Sequence, residues 1–320
     1  MKPLFSVIMP NYNKAEFIGQ AIDSVLAQTY TNWELVIVDD CSTDGSREII
    51  QKYTEKYPKI FAVYLKKNQG ISNAMNNGSA HSKGDLIGAL DSDDVLMNCA
   101  LDYMVERHRD LSLSLIVSTI SLHDIHMNFL QKEDSLPLLK KDERLFDKRG
   151  ETVSNYITTK KIKFISMSFR TYKRSSYIKI KGYDKSLSTA EDVDIMYQLE
   201  KVGKVLFTDD PIYMRRVFPQ SITNRLNMLY LICDFFRAEC KEIKRLYKRI
   251  IPLCSFKYFP TIMVLYFDQW YRQYRPGSWI LLSDIFTQMG FKSRKQHPWK
   301  ARYYLFVAKS LQRRGKRSKK

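Results

Sequence analysis

Leu86-Ile87-Gly88-Ala89-Leu90-Asp91-Ser92-Asp93-Asp94 is an apolar run that stops on carboxylates. A short continuous apolar segment bounded by turn residues fits a strand buried on both faces, as in a parallel sheet. Leu35-Val36-Ile37-Val38 repeats the pattern and closes on Asp39-Asp40. Open α/β sheets bind ligands at the carboxyl ends of their strands, so two acidic strand ends point to one shared crevice. With Asp85 counted beside the later strand, six carboxylates are placed around it.

Outward from these runs, strand and helix periods alternate, the mark of a mostly parallel sheet. Leu4–Met9 reads as a strand closed by Pro10-Asn11-Tyr12, and Asn13 with Glu16 reads as a helix cap. Phe17, Ile18, Ala21, Ile22, Val25 and Leu26 then keep helical spacing. Further helices are expected over Arg47–Tyr57 and Ser72–Ser79, with a strand at Ile60–Leu65 between them. Residues 119–163 read as a long insertion or loop over the site. Beyond them a strand is expected at Phe164–Thr171, a turn at Gly182-Tyr183-Asp184, a helix at Ala190–Val202 and a strand at Ile212–Val217.

From Arg225 the pattern turns helical: Ile232, Phe236, Cys240, Ile243, Tyr247 and Ile250 share one arc, opposite Lys241, Lys244, Arg245 and Lys248. Two regions follow, an α/β domain over 1–223 and a helical, basic extension over 224–320. Charge divides at the same place. Residues 1–223 hold 30 Lys/Arg against 29 Asp/Glu, and 224–320 hold 22 against 5, so nearly all of the net +18 belongs to the extension.

With 320 residues, 44% of them apolar, a real core is available and wholesale disorder is excluded. Five cysteines without metal-ligand spacing read as reduced thiols. The chain enters a strand with no leader before it and has no run approaching the ~18 apolar residues of a membrane span. A cytoplasmic protein is therefore expected, with any membrane contact peripheral.

Asp91 and Asp93 place two carboxylates one residue apart, able to hold a divalent cation that bridges phosphate oxygens. By itself the same pair also caps a following helix. Asp39 and Asp40 can accept hydrogen bonds from a nucleobase imide or a ribose hydroxyl, or simply belong to a solvated turn. Glu191-Asp192 sits where a helix begins; a carboxylate held there can deprotonate a hydroxyl, while Thr189 and Asp192 also have capping-box spacing.

Taken together and in order, Ser6–Asn13, Val38–Ser46, Asn68-Gln69-Gly70, Leu90–Asp94 and Ala190-Glu191-Asp192 resemble the motifs of the inverting glycosyltransferases of family 2, which have the GT-A fold. The resemblance covers roughly 3–223. It implies a nucleotide-sugar donor, most readily a UDP-sugar, with Pro10 and Tyr12 lining the base pocket and Asp39 and Asp40 holding base and ribose. It implies further that Asp91, with Ser92 beside it, contacts ribose or sugar, that Asp93 binds Mg2+ or Mn2+, and that Asp192 is the base of a single displacement, supported by Glu191. Asn68, Gly70 and Asn73 fall in the loop and helix that flank the donor in this family. Many relatives carry a histidine where this chain has Phe218, in Arg216-Val217-Phe218-Pro219-Gln220-Ser221. Phenylalanine cannot ligate a cation, which leaves Arg216 as an expected phosphate contact, with Arg215 as a second candidate.

His123 and His126 lack a third ligand and read as ordinary strand or loop residues; Asn77-Gly78-Ser79 reads as a turn. Residues 292–320 hold twelve Lys/Arg and no acid, interleaved with Trp299, Tyr303, Tyr304 and Phe306. Such a stretch suits an anionic membrane surface and hence a glycan or glycolipid acceptor at the inner face of the plasma membrane; a solvated basic tail is the plainer alternative. A nucleic-acid-binding protein is the rival class, but it leaves the paired carboxylates unexplained, and no nucleic-acid partner is expected. A nucleotidyltransferase needs Gly-rich and basic loops near the N-terminus that Pro10-Asn11-Tyr12-Asn13 does not supply.

Overall fold

The computed structural model describes residues 2–133, 144–146, 169–185, 187 and 191–217. The expected C-terminal extension, the basic stretch 292–320, Thr189 and Phe218 lie outside them.

Three βα units open the chain: β1 (Phe5–Asn11), α1 (Ala15–Leu26), β2 (Trp33–Asp39), α2 (Ser46–Lys56), β3 (Ile60–Tyr64) and α3 (Ile71–His81), leading into β4 (Leu86–Ala89). Strands β3, β2, β1 and β4 lie side by side and parallel, with Phe5 opposite Trp33 and Leu86, and Leu35 opposite Ile60. Alternation along each strand divides the core. Phe5, Val7, Met9, Leu35 and Ile37 pack with Ile18, Ile22 and Val25 of α1, whereas Ile8, Val36 and Val38 pack with Ala74 and Met75 of α3. At the lower edge Gly84 closes the turn into β4. A Cβ there would meet Ser6 Oγ at 2.4 Å, and its N–H instead donates to that hydroxyl at 2.8 Å.

The second half of the sheet is mixed. After β5 (Val95–Leu96) and α4 (Ala100–Arg107) come β6 (Leu113–His123), β7 (Phe129–Glu133), β8 (Arg144–Phe146) and β9 (Arg170–Lys173). Next are α5 (Arg174–Ile180), α6 (Glu191–Glu200) and β10 (Lys204–Arg216). Strand β9 inserts antiparallel between β4 and β6, and β10 runs parallel to β6. The expectation of a mostly parallel sheet therefore holds without interruption across β1–β4, whereas in the second half only β6 and β10 pair in parallel. The long loop expected over 119–163 is in part strand: β6 continues to His123 and turns back through β7. Ser118, Thr119, Ser121 and His123 interrupt the apolar run of β6. Yet all four are buried, with Thr119 and Ser121 hydroxyls bonded to backbone oxygens of β10, so polarity there marks a sheet interior and not a loop.

Three smaller expectations also change. The Asn13–Glu16 cap does not form: α1 begins after Lys14 with no side-chain cap, and Asn13 Oδ1 accepts the Thr43 N–H at 2.8 Å. Asn77-Gly78-Ser79 is helical, within α3. Asp85 precedes β4, at the end opposite the acidic cluster, and accepts the Leu4 N–H at 3.2 Å. It is not part of the crevice.

Candidate active site

Because β1, β2 and β4 are parallel, their last residues share one edge of the sheet, and Asn11, Asp39 and Asp91 are brought to it by topology alone. Asp39 is fully buried. One of its oxygens accepts the Arg47 Nε at 2.6 Å and the Ser42 N–H at 3.0 Å, and the other accepts the Asn11 amide at 3.0 Å. Although burial raises its pKa, these donors outweigh burial and hold it below the usual carboxylate range. Asp39 is thus a structural tie between β1, β2 and α2.

Asp40 reaches across to the next crossover. Its two oxygens accept the N–H groups of Gln69 at 2.7 Å and Gly70 at 2.8 Å. Gly70 adopts φ +82°, a conformation that favours glycine, and caps α3. Asn73 closes the turn by donating to the Gln69 carbonyl at 2.8 Å, while Asn68 projects into solvent. Asp40, Gly70 and Asn73 therefore form one hydrogen-bonded loop, and Tyr12 stands exposed, 47% accessible, just past the end of β1 and Pro10. We expect Asp40→Ala to destabilise the fold by about 2–4 kcal/mol, since two charge-assisted bonds to backbone amides are lost. Urea unfolding of the two proteins measures it.

The turn after β4 is fixed from β10. Asp94 accepts the Tyr213 hydroxyl at 2.6 Å and the Arg216 N–H at 2.7 Å, and Arg216 Nε donates to the Asp93 carbonyl at 2.9 Å. The Arg216 guanidinium also bonds Gln20 at 2.6 Å and the Ile125 carbonyl, and lies 4.7 Å from the Phe17 ring. Arg216 is buried and engaged in shaping this turn, so the structure does not present it as a phosphate contact. Arg215, its neighbour, lies within electrostatic range of Asp91 and is the better-placed cation. Ser92 is buried in the same turn.

Asp93 is the partly exposed member of the group, and its carboxylate takes the Lys14 ammonium at 2.5 Å. Burial and the charge of Asp93 raise the Asp91 carboxyl above its ordinary pKa; burial and the same two neighbours raise Asp94 much further. The cluster is thus short of positive charge. Among the described residues no three His, Cys, Asp or Glu side chains converge as a complete metal site. Hard oxygen donors on one partly buried aspartate nonetheless fit a Mg2+ or Mn2+ ion whose other ligands come from substrate and water. His123 takes no part: its ring bonds Ser121 Oγ and the Met127 carbonyl, while His126 lies in the turn between β6 and β7.

The remaining wall is the start of α6. Asp192 Oδ1 accepts the Val193 N–H at 2.8 Å, and Asp192 lies within electrostatic range of Asp91. Topology brings the two together from positions a hundred residues apart. Glu191, by contrast, is buried, and burial with the adjacent Asp192 charge pushes its carboxyl up to about 8. A raised pKa makes folding favour the protonated form. The stability contribution is full below about 4.5 and is lost as pH rises through about 8. Glu191→Gln is expected to remove this part of the decline, seen as a smaller difference in urea midpoint between pH 5 and pH 8.5.

Sequence reasoning missed Arg170. It is the first residue of β9, and because β9 runs antiparallel to β4 it lands at the carboxyl end of β4. Its guanidinium is buried, donates from Nε to the Tyr183 hydroxyl at 3.1 Å and lies 3.7 Å from Glu191. An arginine in an otherwise apolar-aromatic strand segment, Phe169-Arg170-Thr171-Tyr172, is the signal that could have found it.

Fold and site together define an α/β protein with an acidic crevice at the carboxyl edge of a parallel half-sheet. The model of glycosyl transferase family 2 matches residues 6–181, and the chain belongs to that family. It is 43% identical over 110 residues to TuaG of Bacillus subtilis (strain 168), a glycosyltransferase assigned to teichuronic acid biosynthesis, covering 33% of this chain and 44% of that one. It is 30% identical over 202 residues to a chondroitin synthase of Escherichia coli, covering 63% of this chain and 27% of the synthase. The chain thus spans less than half the length of these relatives. Staphylococcus aureus TarS 1-349, solved in complex with UDP, shares the GT-A fold at a TM-score of 0.62 and 18% identity, over 97% of this chain and 91% of that chain. A mannosyltransferase from Pyrobaculum calidifontis, solved with GDP-Man and Mn2+, superposes with a TM-score of 0.59 at 13% identity, over 97% and 85%.

Proposed function

We propose that this glycosyltransferase moves a sugar from a nucleoside-diphosphate sugar, UDP-linked, to a hydroxyl of a surface glycan or glycolipid, inverting the anomeric centre. The observation that carries the reading is the approach of Asp192, at the start of α6, to Asp91, at the end of β4. A donor-side carboxylate and an ionisable base then face one crevice, as a single displacement requires.

Asp93 would hold the Mg2+ or Mn2+ ion, which when bound neutralises the charge of the leaving diphosphate. Asp91 accepts hydroxyls of the ribose or sugar and orients the donor. Tyr12 and Pro10 offer an apolar face to the base, and the Asp40–Gly70 loop sets the edge of that pocket. Asp192 takes the proton of the acceptor hydroxyl as its oxygen attacks the anomeric carbon from the face opposite the diphosphate. Arg215 adds positive charge near Asp91. Supporting a surface-glycan acceptor are the teichuronic acid and chondroitin relatives. Among the described residues no helix is long and apolar enough to cross a membrane. A lipid-borne acceptor would then be met from the cytoplasmic side, by a peripheral contact of the basic C-terminus.

A panel of UDP-, GDP- and dTDP-sugars is offered to the purified protein with Mn2+ and with EDTA. Metal-dependent release of nucleoside diphosphate from a UDP-sugar supports the reading. Proton NMR of the product must also show inverted anomeric configuration, and retention would overturn the mechanism.

A further inference from the structure

Arg170 is a single buried cation among carboxylates that come from separate elements. Glu191 and Asp192 begin α6, Asp91 ends β4, and Arg170 opens the strand between β4 and β6. Its Nε is held by the Tyr183 hydroxyl at 3.1 Å, and its guanidinium lies 5.8 Å from the Tyr183 ring centre. Tyr183 is itself fixed: its backbone N–H donates to Asn76 Oδ1 at 2.9 Å, its carbonyl accepts the Asn76 amide at 2.9 Å, and its hydroxyl lies 3.3 Å from that of Tyr172. The guanidinium therefore has a rigid seat, 3.7 Å from the Glu191 carboxyl at the start of α6.

Burial and the Asp192 charge push the Glu191 carboxyl up to about 8. Asp192 and Asp91 also lie within electrostatic reach of the guanidinium. Arg170 is thus seated by Tyr183 on the strand next to β4, beside the first residue of α6.

We infer that Arg170 is a positioning residue for the reaction: it holds the α6 start, and with it Asp192, at the correct separation from the donor-side Asp91. This rests on the reading of Asp192 as the base. Lysine would preserve the charge but cannot bond Tyr183 and reach Glu191 at once from a planar fork.

The test is a double-mutant cycle on the full chain, with donor and acceptor from the panel above. Arg170→Lys is expected to lower kcat by about 30-fold or more with donor KM within about threefold, the pattern of an interaction used in the transition state. Tyr183→Phe, which keeps charge and volume but removes the seat, is expected to lower kcat about fivefold in the same direction, and serves if Arg170→Lys does not fold. Because either residue acts through Asp192, adding Asp192→Asn to it must cost no more than Asp192→Asn alone. Multiplicative losses, or a fall in Tm with kcat unchanged, overturn the role of Arg170. Full activity of Asp192→Asn by itself overturns the base assignment instead.

Discussion

Asp192→Asn is expected to lower kcat by about 10³-fold, within the usual range for removing a general base, while nucleoside diphosphate binding changes by no more than about threefold. The substitution is nearly isosteric, and the amide oxygen can still accept the Val193 N–H that Asp192 Oδ1 accepts at 2.8 Å. Helix α6 should keep its start, so a change in fold cannot account for the loss. What asparagine cannot do is take a proton. The site supplies no ready substitute, since Glu191 next to it is buried and lies 3.7 Å from the Arg170 guanidinium. Pre-steady-state release of nucleoside diphosphate, compared with isothermal titration of the nucleotide, separates the two effects. An unchanged kcat would remove Asp192 from the chemistry and leave it a helix cap.

The first half of this architecture was legible because every local signal agrees. Four apolar runs of four to seven residues alternate with amphipathic helices, and three of them close on Asn or Asp. In the second half that agreement fails. Strand β6 carries five buried polar residues, and β9 is four residues long with a buried arginine as its first. Both derive their stability from the neighbours they are inserted between, which no periodicity records. The same difference runs through the site. Asp91, Asp93 and Asp192 stood out in the sequence because residue type and place in the chain order coincide, and their roles are those proposed above.

Asp39, Asp40 and Arg216 were legible as special but not as to role. Sequence shows that a polar group stands at a strand end, whereas only the fold shows that Arg47, Asn11 and Ser42 already surround Asp39, or that Arg216 is folded back onto the Asp93–Asp94 turn. Arg170 was missed because its meaning depends on β9 running antiparallel to β4, a property of the topology.

Asp93→Asn carries the second large effect. It is expected to reduce donor turnover by about 10³-fold, the scale of several kcal/mol that metal neutralisation of a leaving diphosphate provides, and to make the residual rate insensitive to EDTA. The neighbours of Asp93 sharpen the expectation. Asp94 already receives the Tyr213 hydroxyl and the Arg216 N–H, so it is not placed to take over. Loss of the Asp93 charge also ends the Lys14 ion pair. The Lys14 ammonium stands beside this position, but one monovalent cation supplies only part of what a divalent ion does. Adding Lys14→Met to Asp93→Asn should therefore lower the residual rate again, whereas Lys14→Met alone should leave the response to Mn2+ intact. Titrating Mn2+ into wild type and both single variants, with electron paramagnetic resonance to count bound ion in the presence of UDP, gives the binding side of the result. If Asp93→Asn binds Mn2+ as wild type does, the ion is held elsewhere. If instead neither protein binds it and wild type turns over equally well in EDTA, the diphosphate is neutralised by Lys14 and Arg215, and the chemistry of this crevice belongs to its protein cations.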